Sequence, residues 1–155
     1  MRLLPGVVAV AIGIWLVVGD SRDDLLAATA RPLEFRMHVA GGSASFVEST
    51  LTVPAGREVR VTFINESRSM PHNWVMVDRA QGAAQTVAAE GLRVGRAHGF
   101  VDPRPTALLA ATPLARPRGS VSIAFTAPTE PGRYQFLCTV PGHYENGMFG
   151  TLVVR

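Results

Sequence analysis

The sequence contains a single cysteine, Cys138, and no lysine; all of its basic residues are arginines. One thiol excludes an intrachain disulfide, a zinc site built on two or more thiolates, and a dinuclear copper centre that needs a pair of cysteines. Cys138 is a buried thiol, a reactive thiol or a lone metal ligand. Aromatic residues are sparse at 7%, and the formal charge of +3 is carried by scattered arginines rather than by a cluster interleaved with aromatics. No nucleic-acid footprint follows from that pattern. Long helical patterns are few, while Gly 15 and Pro 11 favour strands and turns. With 155 residues, 47% hydrophobic and 17% charged, the chain is long enough for one folded domain with a hydrophobic core. No internal repeat, low-complexity tract or linker marks a second one.

The N-terminus reads MRLLPGVVAVAIGIWLVVGDSRDD. Arg2 supplies a positive start, Leu3 to Gly19 forms an uncharged apolar run, and Asp20, Arg22, Asp23 and Asp24 end it abruptly. The run has the length at which a secretory apolar region and a short membrane span converge. Ala28-Thr29-Ala30 has the small-x-small form of a cleavage site, and Gly19 precedes a second candidate. Export is expected, with residues 1–30 as a signal peptide or an uncleaved N-terminal membrane anchor and residues 31–155 as the functional domain. No cysteine lies near the segment, so lipid attachment at a cysteine is excluded.

Beyond the leader the pattern turns to period two. LEFRMHV sets Leu33, Phe35, Met37 and Val39 against Glu34, Arg36 and His38. EVRVTFIN sets Val59, Val61 and Phe63 against Arg60 and Thr62, and the turn signal Pro54-Ala55-Gly56 separates it from STLTV. HNWVMVD (His72–Asp78) and SVSIAFTAP, with Val121, Ile123 and Phe125, read as further strands. So do RYQFLCT, with Tyr134, Phe136 and Cys138, and the closing GTLVVR. Such alternation predicts half-buried antiparallel strands, and about seven or eight of them predict an all-β sandwich. RAQGAAQTVAAEGL is helix-friendly although Gly82 weakens it. Gly91 to Gly119 reads as a Gly-, Pro- and Arg-rich flap with a short strand at ALLAAT.

The chemistry concentrates near the end of the chain. Cys138 continues an inward-facing alternation, and Pro141 and Gly142 then force a turn, so His143 and Met148 sit on a loop leading to the last strand. Far upstream, Pro71 shapes the approach to His72. Taken singly, each residue has a bland reading: the thiol and Met148 as core, His72 as surface, the whole as an adhesion-type sandwich with a spare thiol. Together they form the ligand set of a blue-copper electron-transfer site, two imidazoles and a thiolate with a weak axial thioether. Copper(II) favours nitrogen and copper(I) favours soft sulfur; a set tolerable to both states lets an electron come and go with little movement. His38 falls on the polar face of its strand and His98 in the flap, so both are expected at the surface.

The segments MPHNWVMVD and YQFLCTVPGHYENGMFGTLVV resemble those that carry the metal ligands in the cupredoxins, in particular the azurin, auracyanin and plastocyanin group. AQGAAQTVAAEG, GFVDPRP and AATPLARPRGSVSIAFTAP resemble the flap region of that group, and the C-x4-H-x4-M spacing is similar to that of rusticyanins. The likeness spans most of Leu33 to Arg155. It implies a Greek-key sandwich with a helical or irregular flap, and one copper ion cycling between Cu(I) and Cu(II) on His72, Cys138, His143 and Met148. It further implies that Asn73 ties the two ligand loops together and that the N–H groups of Asn73 and Val140 donate to the thiolate. Pro71 replaces the glycine of azurins, which puts an axial carbonyl contact in question. An exit patch is expected at His143, whose outer ring edge would reach the surface framed by Met70, Pro141 and Phe149. The function implied is a one-electron carrier, not an enzyme, meeting cytochromes, oxidases or reductases in transient contact outside the cytoplasm, whether free or membrane-tethered. A copper-carrying or copper-buffering protein of the envelope is the alternative; the copper enzymes of this fold need extra histidines and a second domain.

Overall fold

Period-two alternation resolves into eight strands among the described residues. In the computed structural model, which describes residues 31–104 and 106–155, these are β1 (Leu33–Val39), β2 (Thr50–Val53), β3 (Glu58–Asn65), β4 (Val75–Val77), β5 (Leu108–Ala111), β6 (Ser120–Thr126), β7 (Gly132–Leu137) and β8 (Phe149–Val154). A helix, α1 (Ala83–Val94), and a single 3-10 turn (Arg96–His98) lie between β4 and β5. The signal peptide or anchor expected over residues 1–30 lies outside the described residues.

The strands form two sheets, ordered β1-β3-β6 and β2-β8-β7-β4-β5. Both are mixed, where alternation alone led to antiparallel pairing: β1 runs parallel to β3 and β2 parallel to β8. Alternation reports which face is buried and carries no information on direction. Direction follows from the path: between β1 and β3 the chain passes through the opposite sheet as β2, so it re-enters the first sheet the same way round. The result is a Greek-key β-sandwich. Met37, Val39, Val59, Val61 and Phe63 of one sheet face Leu51, Val53, Tyr134, Phe136, Leu152 and Val154 of the other. Phe46 and Trp74 fill the space between, each packed against Phe136. Val121, Ile123 and Phe125, expected in the core, are only partly buried because β6 is an edge strand.

The strand expected over His72–Asp78 is shorter, at Val75–Val77. His72 makes an isolated bridge to Ala115, and the amide of Trp74 donates to the hydroxyl of Thr112 at 3.0 Å, a side chain standing in for ladder backbone. All three residues of β4 are buried: Met76 in the inter-sheet core, Val75 and Val77 under α1. The apolar face of α1, Ala83, Ala84, Val87 and Ala88, covers the outer side of the five-stranded sheet. The flap beyond α1 is pinned by the buried carboxylate of Asp102, which accepts from Arg93 at 2.5 Å and from Arg104 at 2.6 Å. Hydrogen bonding from Arg104, with the charges of Arg104 and Arg93, holds that carboxyl well below the usual range.

Gly91 lets the flap come close. A Cβ there would sit 2.3 Å from the carbonyl oxygen of Phe100 and 3.2 Å from Cβ of Thr139. A helix interior ordinarily gains about 1 kcal/mol when Gly becomes Ala. Here backbone overlap outweighs that gain, and Gly91→Ala is expected to destabilise by about 1–3 kcal/mol. Denaturant unfolding of the variant measures it; an increase in stability would mean that the helix–flap contact is slack.

Candidate metal centre

Cys138 follows directly on β7, whose inward residues Tyr134 and Phe136 set its direction, and it is fully buried. Its amide donates to the carbonyl of Met148 at 3.1 Å before the strands part. Pro141 and Gly142 (φ 81°) turn the chain. His143 then donates to Val140 at 3.0 Å, and Met148 donates back to His143 at 2.9 Å, closing the loop onto β8. His72 arrives from the other direction, held by paired backbone bonds with Ala115 of 3.1 and 2.8 Å.

The two distant segments converge. Sγ of Cys138 lies 3.3 Å from Nδ1 of His143 and 3.9 Å from Nδ1 of His72. The imidazole centroids are 4.6 Å apart, and one ligand atom from each of the three residues lies within 4.8 Å of the others. Metal–nitrogen and metal–sulfur bonds of about 2.0–2.3 Å to one ion put ligand atoms roughly 3–4 Å apart. The spacing therefore fits a single ion, and the donor set of soft sulfur and two imidazoles, with no carboxylate in the group, fits copper. Met148 is also fully buried.

Burial lowers the imidazole of His72 to about 4, with the neighbouring His143 adding to the shift. Burial lowers His143 as well, against the pull of Glu145. Both rings are thus neutral near pH 7, with lone pairs free for a metal. The thiol of Cys138 is pushed up to about 11 by burial, opposed by hydrogen bonds from the backbone N–H groups of Asn73 and Val140. Those two donors are aimed at the sulfur before any metal neutralises it.

Around these residues runs a set of buried polar bonds. The Asn73 side chain donates to the Thr139 hydroxyl at 2.8 Å and to the Gly99 carbonyl at 3.0 Å, and it accepts the Thr139 amide at 2.9 Å. Thr139 in turn donates to the Phe100 carbonyl at 2.6 Å, tying the flap to the same knot. Asn65 does the equivalent work for His72. Its carboxamide nitrogen lies 2.9 Å from the Met70 carbonyl and 3.1 Å from those of Ala115 and Arg116, and its oxygen accepts the Ser67 amide at 3.0 Å. Sequence reasoning passed over Asn65 and Thr139. Asn65 had a visible signal: it continues the inward register of Val59, Val61 and Phe63, and a buried amide there must find partners.

The surroundings of His143 differ from expectation. Met70 and Phe149 are 44% and 47% exposed and Pro141 is exposed, but His143 itself is only 3% exposed. Its Nε2 is buried without a hydrogen-bond partner among the described residues. The tight backbone turns from Val140 to Met148 draw the ring beneath the surface rather than presenting its edge. Pro71 is partly buried and Val140 buried. His38 is half-buried and pairs with Glu48 at 2.8 Å, while His98 is exposed in the flap.

Because the folded pKa of His72 lies near 4 against an ordinary 6.5, the folded state binds protons less readily than the unfolded chain. Its contribution to stability is fully present above pH 6.5 and lost as the pH falls towards 4. Metal-free protein is expected to lose up to about 1.4 kcal/mol per pH unit in that window, with His143 acting in the same direction. Thermal or urea unfolding across the window, with His72→Leu as the comparison, measures the effect. A flat profile in the parent protein would contradict the buried, neutral imidazole.

Comparisons with known proteins agree with this geometry. The family model for "Copper binding proteins, plastocyanin/azurin family" matches residues 33–155. Auracyanin-A of Chloroflexus aurantiacus is 37% identical over 124 residues, covering 80% of this chain and 75% of that protein. Auracyanin-B of the same organism is 36% identical over 127 residues, covering 81% of this chain but only 52% of that longer protein. The solved structure of auracyanin A, described as a "blue" copper protein, superposes with a TM-score of 0.76 at 36% identity, over 81% of this chain and 100% of that one. With His72, Cys138 and His143 arranged as a metal site, the chain belongs to the plastocyanin/azurin family of copper binding proteins, the blue copper cupredoxins, whose members bind one copper ion and generally serve as electron carriers.

Proposed function

We propose that this protein is a one-electron carrier working outside the cytoplasm, and that it is not an enzyme. The observation that supports this most is the dry convergence of one sulfur and two neutral imidazole nitrogens from segments tied together by their own hydrogen bonds. His72, Cys138 and His143 would hold the metal, and the thioether of buried Met148 would serve as a further, weak ligand. Copper, when bound, supplies a single reversible step between Cu(II) and Cu(I). Asn73 and Val140 direct N–H groups at the thiolate and so stabilise its charge, which tunes the potential. Pro71, with no N–H, shapes the approach to His72. Electrons enter and leave where the loop of His143 meets the surface, bordered by Met70, Pro141 and Phe149. Partners are cytochromes, oxidases or reductases held briefly by a small apolar contact. The leader at residues 1–30 directs export, and either leaves with cleavage or remains as a tether.

Reconstitution with copper, followed by visible spectra of the parent protein and of Cys138→Ser, separates this from copper storage or delivery. An intense blue charge-transfer band is expected in the parent and none in the variant. A copper-loaded but colourless parent would favour a carrier of Cu(I) and overturn the electron-transfer reading. Met148→Leu is expected to keep the colour and raise the reduction potential; loss of copper binding would show that the methionine is not a weak ligand.

A further inference from the structure

Asn65 does more than hold His72. Its bonds to the carbonyls of Met70, Ala115 and Arg116 join the segment after β3 to the segment before β6. The amide of Arg118 donates to the Ser67 carbonyl at 3.1 Å, and that of Asn65 donates to Gly119 at 2.9 Å, so the join continues for several residues on both sides. The result is one braced platform beside the histidine. Three arginines stand on it, Arg68, Arg116 and Arg118, all exposed.

These three guanidinium groups have no ion-pair partner among the described residues. Arg60, Arg79, Arg93 and Arg104, by contrast, pair with Glu34, Glu130, Glu90 and Asp102. One exposed carboxylate, Glu66, lines the same surface cleft as Arg68 and Arg118. Two positive charges therefore share that cleft with one negative charge, and Arg116 adds a third on the segment that Asn65 braces. Arg68 also lines a cleft of about 280 Å³ together with Met70 and His72, one of the residues of the metal centre. Arg118 holds a left-handed backbone, φ 57°, where glycine is the residue without steric cost and Gly119 is its immediate neighbour. The backbone therefore does not favour an arginine at this position.

We propose that the Arg68, Arg116 and Arg118 platform is a docking surface for a redox protein that surrounds its own electron-transfer site with carboxylates. This rests on the electron-carrier reading above. Guanidinium forks match carboxylates in geometry, and a charged rim speeds encounter and rejects basic partners without making the complex long-lived. The electron passes singly between copper and the partner's centre, and no bond is made or broken.

Two readouts test the surface. In the first, metal-free and copper(I)-loaded protein are titrated with hexacyanocobaltate(III), a redox-inert trianion, and amide shifts are followed by NMR. Shifts centred on Arg68, Met70, Arg116 and Arg118 are expected. Shifts spread evenly over the molecule, or centred on Arg133 and Arg155, would overturn the proposal. In the second, copper(I) protein is oxidised by hexacyanoferrate(III) or by tris(phenanthroline)cobalt(III), one electron passing to each complex. Arg68→Gln with Arg116→Gln and Arg118→Gln is expected to slow the anionic oxidant at least about tenfold at low ionic strength, to flatten its salt dependence and to speed the cationic one. The colour should stay unchanged, and the opposite changes with the anionic and the cationic oxidant separate docking from any change in potential, which would move both rates the same way. Arg36→Gln with Arg133→Gln and Arg155→Gln removes the same net charge elsewhere, and an equal effect from it would overturn the proposal. If neither oxidant takes an electron from the protein, the carrier reading fails, while the trianion titration still decides the surface. Binding to phosphatidylglycerol vesicles that the first triple variant abolishes would assign the platform to a membrane and overturn the protein partner.

Discussion

The reciprocal hydrogen bonds between Asn73 and Thr139 are the contact on which the rest depends. Each of the two residues directly follows a metal-site residue, His72 in one case and Cys138 in the other. Locking the neighbours together therefore fixes the distance between imidazole and sulfur without using either. Both residues are buried, so breaking the pair leaves donors and acceptors stranded without water, at a cost of about 1–3 kcal/mol for each unsatisfied group. The flap joins the same knot through the carbonyls of Gly99 and Phe100, and α1 can approach it because Gly91 has no side chain in the way. Helix, flap and both ligand segments are thus one mechanical unit.

That unit explains how the centre suits electron transfer. A site that must change shape between two oxidation states moves electrons slowly, and a site held by its surroundings does not have to. Here the sulfur is dry, two amides already point at it, and both rings are neutral at ordinary pH. The protein meets the metal with a cage whose geometry is set by packing and by side-chain bonds outside the ligand set. Asn65 extends the same rigidity to the surface, where it braces the segments that carry Arg68, Arg116 and Arg118. Centre and docking surface share one scaffold.

Much of this was legible in the residues. The inward alternation of Tyr134, Phe136 and Cys138, followed by the Pro141–Gly142 turn, located the sulfur and His143 at one end of a sandwich, and the single thiol left few alternatives. The helix at Ala83–Val94 and the strand at Leu108–Ala111 were readable from composition and pattern. Strand direction was not, since alternation is the same either way and only the path of the chain between sheets decides it. The length of β4 was misread because the amide of Trp74 bonds the Thr112 hydroxyl in place of a backbone carbonyl, while only its carbonyl keeps a backbone partner. The exposure of His143 could not be read from its place after a turn, because the tightness of the loop, not its position, decides whether a ring edge reaches water. Asn65 was readable in principle, as an amide in an apolar register, but two of its four partners, Ala115 and Arg116, come from a segment that only the fold brings near.

The most direct measurement compares crystal structures of the metal-free and copper(II)-bound protein. If the cage is built by the polypeptide, the Cys138 sulfur and the Nδ1 atoms of His72 and His143 will occupy the same places in both, with the Asn73–Thr139 bonds intact. A flipped imidazole, or a ligand loop displaced by about 1 Å or more on copper binding, would show instead that the metal shapes its own site.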